Sequence, residues 1–333
     1  MTPALQALVT IVVGVGGCIG YFFLANLLLD RVFFPARGPN IGRNINRANA
    51  IRPWLFLLPA LLALGLYLAY PVFETLRLSL TDRSAGGAFV GVDNYRRMAE
   101  DPKFWEALRN NFLWLLVVPA ASTAFGLLAA QLTDRIRWGD IAKAMIFMPM
   151  AISFVGAAVI FKLVYDSRPE DVAQIGVLNA LYLQFGGAEP VTWLTVPFWN
   201  NLFLMVVLIW IQTGFAMVIL SAALRGIPEE TIEAAIIDGA NPFQIFFRIK
   251  IPQITGTIIV VWTTITIVVL KVFDIVFAMT NGQWETQVLA NFMYDKLFRA
   301  NDWGVGSASA MIIMLLVTPI LVWNVWNARK EMR

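Results

Sequence analysis

Few side chains in this sequence could do chemistry, and the most conspicuous lie inside apolar runs. Lys271 and Asp274 stand three residues apart in the stretch Ile254–Met279. A charge at the centre of a bilayer costs about 2.5–3.5 kcal/mol on insertion scales, so such residues pair or face water. Three apart on a helix, these two can pair with each other, and lining a translocation path is the second reading. Gln212 and Phe215 place an amide and an aromatic ring on one face of the run Leu202–Leu224. An amide there can hold a solute or bond across to another helix. Lys162, four residues before Asp166, suits a side chain that snorkels to the end of its span. Asp166, Glu170 and Asp171 could supply carboxylate acid–base chemistry, but acids in such a segment are more simply a solvated loop.

What is missing narrows the chemistry further. There is no histidine, the commonest general base and metal ligand. The single cysteine, Cys18, has no intramolecular disulfide partner. No G-x-x-x-x-G-K-[ST] loop is present to cradle nucleotide phosphates. The sequence therefore supports no catalytic residue, no metal site and no cofactor held by this chain. The Thr263, Thr264, Thr266 cluster reads as hydroxyls bonding back to their own helix, and Gly16-x-x-x-Gly20 as a weak packing motif.

These residues are set in a membrane-protein composition. With 59% hydrophobic and 14% charged side chains, the chain departs from the roughly one-quarter charged content of soluble domains. Its mean hydropathy of +0.68 agrees. A bilayer core needs about 20 apolar residues per helical crossing. Seven stretches meet that length: Ala4–Leu29, Trp54–Phe73, Phe112–Leu132, Ala144–Tyr165, Leu202–Leu224, Ile254–Met279 and Ala308–Trp326. The expected fold is all-α, a polytopic bundle of about seven spans. The first stretch lacks a basic start, is too long for a signal peptide and is followed by no A-x-A site, so it reads as a retained span.

Basic residues set the expected orientation. Arg31, Arg37, Arg43, Arg47 and Arg52 fill the first interspan segment; Arg135, Arg137 and Lys143 the third; Arg225, Arg248 and Lys250 the fifth; Arg329, Lys330 and Arg333 the tail. Alternate segments share a face, which the positive-inside tendency makes cytoplasmic, leaving the amino terminus outside and the carboxyl terminus inside. A net charge of +3, spread over short segments, does not suit nucleic acid. Neither low-complexity sequence nor an internal repeat is evident, so a transporter built from repeats within one chain is not supported.

The fifth segment, residues 226–252, is strongly patterned. Pro228 with Glu229 and Glu230 suits a helix amino terminus. Asp238-Gly239 is a stop, and Asn241-Pro242 a second start. Phe243, Phe246 and Phe247 follow at helical spacing on one face, and Arg248 and Lys250 favour the carboxyl end. The pattern predicts two short helices with a fixed bend that display phenylalanines, either as a docking surface or against the membrane and the protein's own helices.

Glu233-Ala234-Ala235, three residues, Gly239, nine residues, Ile249-Lys250-Ile251-Pro252 resembles the EAA loop of ABC importer membrane subunits, with Ile251 where leucine is usual. Phe89–Tyr95, Phe104-Trp105, Asn110-Asn111, Phe147-Met148-Pro149 and Leu270–Asp274 are similar to carbohydrate permeases of the maltose and glycerol-phosphate type. Ile51–Phe56, Trp210–Met217 and Ala278–Trp284 resemble the alpha-glucoside permeases, down to the absence of the usual glycine-glycine-proline ending.

The resemblance implies a six-span importer core over 54–333, with an added first span and basic linker over 1–53. It implies ATPase coupling through Glu233, Ala234, Ala235, Gly239, Phe243, Phe246, Phe247, Ile249 and Pro252. It also implies a sugar path near Trp210, Gln212, Phe215, Lys271 and Asp274. Trp210 suits packing equally well. The implied partners are a second homologous permease, two copies of a cytoplasmic ATPase that uses ATP and Mg, a periplasmic sugar-binding protein and the bacterial inner membrane. Competing readings are a permease for another solute such as glycerol-phosphate, an ion-coupled sugar transporter, and a membrane glycosyl or lipid transferase. Ion coupling calls for intramembrane carboxylates or histidines, and Asp274 is the one clear candidate.

Overall fold

The computed structural model describes residues 2–35, 37, 41–82, 86–134 and 136–331, without the side chains of 324, 325 and 327–331. Arg135 and Arg333 of the basic segments lie outside the described residues, as do the side chains of Arg329 and Lys330. The chain divides into two compact units, residues 1–74 and 75–333.

In the first unit, α1 (Pro3–Phe33) and most of α2 (Ile41–Ser79) are long and apolar enough to cross a membrane. Tyr21 donates its hydroxyl to the Leu55 carbonyl at 2.7 Å, and Arg52 bonds Asp30 at 2.6 Å. The basic stretch is already helical from Ile41, and α2 continues through Pro53 and Pro59 and a π-helical turn at Gly65–Ala69. Gly16 and Gly20 face open space.

The second unit opens with a two-stranded antiparallel ribbon, β1 (Thr81–Asp82) and β2 (Ala88–Phe89), pairing Thr81 with Phe89. Then come α3 (Asp93–Glu100) and α4 (Pro102–Thr133). Asn94 of α3 donates to the Ser79 and Thr81 carbonyls, which gives the Phe89–Tyr95 motif a structural role at this corner.

Two expected spans are not straight helices. Ala144–Tyr165 is α5 (Gly139–Ala151) and α6 (Phe154–Val164), bent by 104°. Pro149 tightens the end of α5 into a 3₁₀ turn, Ile152 is extended, and Ser153 restarts the helix by accepting the Gly156 amide. After α7 (Val177–Gln184) and α8 (Trp199–Arg225) come α9 (Glu229–Ile237) and α10 (Pro242–Gln253). Helix α11 (Thr255–Leu270) leaves α10 at 71°. It stops at Lys271, and α12 (Asp274–Met279) begins anew. The chain closes with α13 (Leu289–Tyr294), a π-helical turn at Asp295–Arg299, and α14 (Trp303–Glu331). Among the described residues five helices are long and apolar enough to span, or up to seven if each bent pair is one span.

Helices α4 and α8 form the centre of the second unit. Gly126 of α4 leaves no room for a Cβ against Ala216 and the Met217 amide of α8, the small-residue packing that membrane helices favour. The two run parallel. Their starting halves hold the same loop through Asn110, Asn200 and Asn201, and their far ends meet at Asp134. Val118, Leu208, Met217, Val261, Ile265 and Val276 are among the buried side chains of this core. A second cluster, Met98, Phe104, Leu289, Phe292 and Val305, joins α3, α13 and α14 to the first turns of α4.

Candidate functional site

The patterned segment folds as a capped joint. Helix α9 begins after Pro228 with Glu229 and Glu230 in its first turn and stops at Asp238. Gly239 then takes φ +80°, and the Ala240 amide bonds back to the Ala235 carbonyl at 2.9 Å, a glycine-dependent stop. Asn241 accepts the Gln244 amide at 2.9 Å while Gln244 accepts the Asn241 amide at 2.8 Å, a reciprocal cap for α10.

Ala235 and Ile245 are buried. Lys250 is buried too and donates to Gln131 Oε1 of α4 at 3.0 Å. It is an anchor of the joint as well as a basic residue at a helix end. Nearby, Asp134 accepts from Lys143 at 2.8 Å and Arg225 at 2.7 Å, tying the starts and ends of three helices. Burial opposes the charge of Asp134, but the bonds from Lys143 and Arg225 outweigh it and hold the carboxyl below its ordinary value.

The outer face of the joint is apolar. Phe243 is 76% and Phe247 60% exposed, beside Ile236 at 58% and Ile237 at 85%. Phe246 departs from the expected one-face arrangement: it is half-buried, with its ring edge-on to Phe247 at 5.0 Å. The cause is the π-helical turn Ile245–Lys250, whose wider period separates neighbours that an α-helix would align. Glu233, Ala234 and Pro252 are exposed and Ile249 half-buried. Ile236 and Ile237 escape a reading tuned to aromatics, although their place between the alanine pair and Gly239 is visible in the sequence.

The second set of residues gathers where helices break. A cleft of about 420 Å³ is lined by Met150, Ile152, Ser153, Phe154, Gln212 and Asp274, among others. Gln212 is 6% exposed, and neither its amide nor the Asp274 carboxylate has a hydrogen-bond partner among the described residues. Lys271 and Asp274 do not share a helix and form no ion pair, contrary to the expected i,i+3 pairing, because the backbone leaves α-geometry at Lys271. Both line a small adjoining cleft with Phe154 and Phe273.

Trp210 lies elsewhere, edge-on to Phe161 at 5.3 Å in the core, and Phe215 also packs on the core. Lys162 is exposed and donates to the Ala278 carbonyl at 3.4 Å. Thr263, Thr264 and Thr266 each bond back to their own helix. Asp166 pairs with Arg168, while Glu170 and Asp171 are exposed.

At the other end of α4 and α8, two asparagine doublets clamp the 284–289 loop. Asn110 donates to the Glu285 and Gln287 carbonyls, each at 2.8 Å, and Asn111 accepts the Leu289 amide at 2.7 Å. Asn200 donates to Trp284 at 2.6 Å and Asn201 to Glu285 at 3.1 Å. Trp284 and Glu285 hold positive φ in this loop, as does Asn281 just before it. Such strain persists only where the surroundings over-determine it. Adjacent amides at the start of an apolar run are the sequence signal for such a clamp, because buried amides need partners.

Comparison with known proteins matches residues 122–332 to the family described as binding-protein-dependent transport system inner membrane component. The chain is 63% identical to the alpha-glucoside transport system permease protein AglF of Rhizobium meliloti (strain 1021), over 99% of each. It is 48% identical to the osmoprotective compounds uptake permease protein GgtC of Synechocystis, over 84% of this chain and 100% of that one. Among solved structures, a bacterial ABC transporter involved in the import of the acidic polysaccharide alginate has a chain that superposes with a TM-score of 0.73. That match has 20% identity and covers 87% of this chain and 98% of the other, a likeness of fold.

Proposed function

The chain belongs to the inner membrane components of binding-protein-dependent transport systems, and from that premise we propose that it is the permease subunit of an ATP-driven importer of an alpha-glucoside di- or oligosaccharide. The observation that carries the coupling reading is the capped joint at 226–253 with its exposed face of Ile236, Ile237, Phe243 and Phe247. Exposed apolar clusters of this kind mark protein docking surfaces. The sugar reading rests on the full-length likeness to an alpha-glucoside permease and on the Gln212–Asp274 cleft.

In this reading residues 54–333 are the importer core, and 1–53 an added span with its basic segment. The joint lies in the cytoplasm, with the amino terminus outside and the carboxyl terminus inside. A separate ATPase, present in two copies and using ATP and Mg, docks on the joint. A second permease completes the path, and a periplasmic binding protein delivers the sugar.

Movement of the docked joint passes through Lys250 to α4 and through the bend at Ile254 into α11. The far end of α11 is the break at Lys271, beside the cleft. Displacing α11 therefore alters the wall that carries Asp274. Gln212 and Asp274 offer hydrogen bonds to sugar hydroxyls, and Phe154 an apolar face. The importer is then a two-state element biased by ligands at both ends.

Reconstitution tests the proposal: maltose uptake into vesicles requires ATP, the ATPase and the binding protein. Uphill uptake by this polypeptide alone overturns it. Gln212→Leu lowers ATP-dependent maltose uptake about tenfold, the loss of roughly 1–2 kcal/mol when a buried amide contact to sugar is removed. Undiminished uptake removes Gln212 from the path. Glu233→Lys reverses a charge on the docking face, and ATPase recovered with the tagged permease falls at least about fivefold. Full recovery would take Glu233 out of the interface.

A further inference from the structure

The Gln212–Asp274 cleft has a neighbour that the proposed function leaves unused. A second cleft of about 370 Å³ is walled by Lys271, Phe273, Ala290, Met293, Tyr294 and Ala310, among others. That volume falls within the roughly 300–1,000 Å³ of small-molecule sites. The two clefts have a small cleft as common neighbour, which shares Phe154 and Asp274 with the first and Lys271 and Phe273 with the second. The helix break at 271–273 lies at this junction, and Lys271, Phe273 and Asp274 all line the small cleft.

The aromatic side chains are braced. Phe273 stacks on Phe277 at 5.0 Å and 24°, and Tyr294 meets both rings, at 5.3 and 5.1 Å. Arg299 sits 5.8 Å from the Phe277 and Tyr294 ring centres. Phe298, 63% exposed, extends the row beyond Tyr294 at 5.1 Å. Flat faces held in this way lose little freedom when something lies on them.

The lining says which occupant fits. Lys271 is exposed and has no hydrogen bond or ion pair among the described residues. A lipid chain or an apolar helix in the cleft would offer its ammonium no partner, whereas a hydroxylated ligand does. A pyranose presents C–H faces to Phe273 and Tyr294 and hydroxyls to Lys271.

We propose that this cleft is a second pyranose subsite, taking the next unit of an oligosaccharide whose first unit lies against Gln212 and Asp274. The inference rests on the sugar-import reading above. Disaccharides fill chiefly the first cleft, whereas a trisaccharide spans both.

The test uses the reconstituted transporter and radiolabelled maltose and maltotriose. In Phe273→Leu and Tyr294→Leu, which keep apolar bulk but remove the flat face, the maltotriose-to-maltose rate ratio falls about tenfold. Ala310→Phe, which fills the cleft without removing any wall, lowers the ratio similarly, and Tyr294→Phe preserves it. A ratio unchanged in all three disruptive variants overturns the subsite. So does an equal loss for both sugars together with poorer recovery of the second permease, which would make the face a subunit interface. Wild-type transporter that carries neither sugar overturns the alpha-glucoside reading itself, and the subsite with it.

Discussion

Gly126→Leu leaves little folded permease in the membrane. A Cβ at position 126 would strike Ala216 Cβ and come within 2.8 Å of the Met217 amide nitrogen, so the obstacle includes backbone that cannot rotate aside. Accommodating even one methyl requires α4 and α8 to separate at this close contact. Overpacking of this kind costs about 1–3 kcal/mol for modest insertions, and leucine adds three further carbons. Both helices also carry the asparagine clamp at one end and the Asp134 pairings at the other, so separation strains both. The membrane-inserted level, read by immunoblot, falls at least about tenfold, and the protein that remains unfolds at lower temperature in detergent. Gly16→Leu is the control: open space surrounds that glycine, so stability changes by no more than about 0.5 kcal/mol and the level stays near wild type. Equal loss in both variants would mean that α4 and α8 are not held by close backbone approach.

That contrast shows what a sequence can carry and what it cannot. Gly16 and Gly126 both lie in apolar runs, and nothing local distinguishes them; the difference is the neighbour, which only the folded chain supplies. Long uninterrupted runs such as Pro102–Thr133 and Trp199–Arg225 are legible because length and hydropathy alone decide them. The bend at Ile152-Ser153 is not, since hydropathy measures transfer from water and has no term for a change of direction. No glycine marks it, and Pro149 is tolerated within membrane helices.

The same gap affects the candidate site. Lys271 and Asp274 stand out by charge, yet a three-residue spacing implies a shared helix face only if the helix continues, and it stops at Lys271. Trp210 and Gln212 are two residues apart, and the fold sends one into the core and the other into a cleft. The joint is the most legible part. Its stop and start signals, Gly239 and Asn241-Pro242, act within a few residues of chain, so their physics is already local.

That locality makes Gly239→Pro the variant with the largest expected functional effect. Gly239 sits at φ +80°, while proline is confined near −65°, so the turn cannot form as it stands. Proline also removes the Gly239 amide, which donates to the Ile236 carbonyl at 3.0 Å, and disfavours the helical conformation of Asp238 before it. The consequence is a new angle between α9 and α10, which separates Ile236 and Ile237 from Phe243 and Phe247 as a single face. ATP-dependent uptake then falls more than about tenfold, because a joint that no longer fits its partner cannot bias the two-state equilibrium. Insertion is preserved, since Gly239 is exposed and lies outside the buried core. Gly239→Ala separates conformation from bulk. No atom lies within 4 Å of its Cβ position, so alanine meets only the left-handed backbone penalty of about 1–2 kcal/mol and retains a substantial part of the activity. Measuring membrane level, ATPase copurification and uptake for the two variants side by side gives the decisive comparison. A proline variant that transports like wild type would show that α9 and α10 act independently, and the lever would have to be sought elsewhere in the chain.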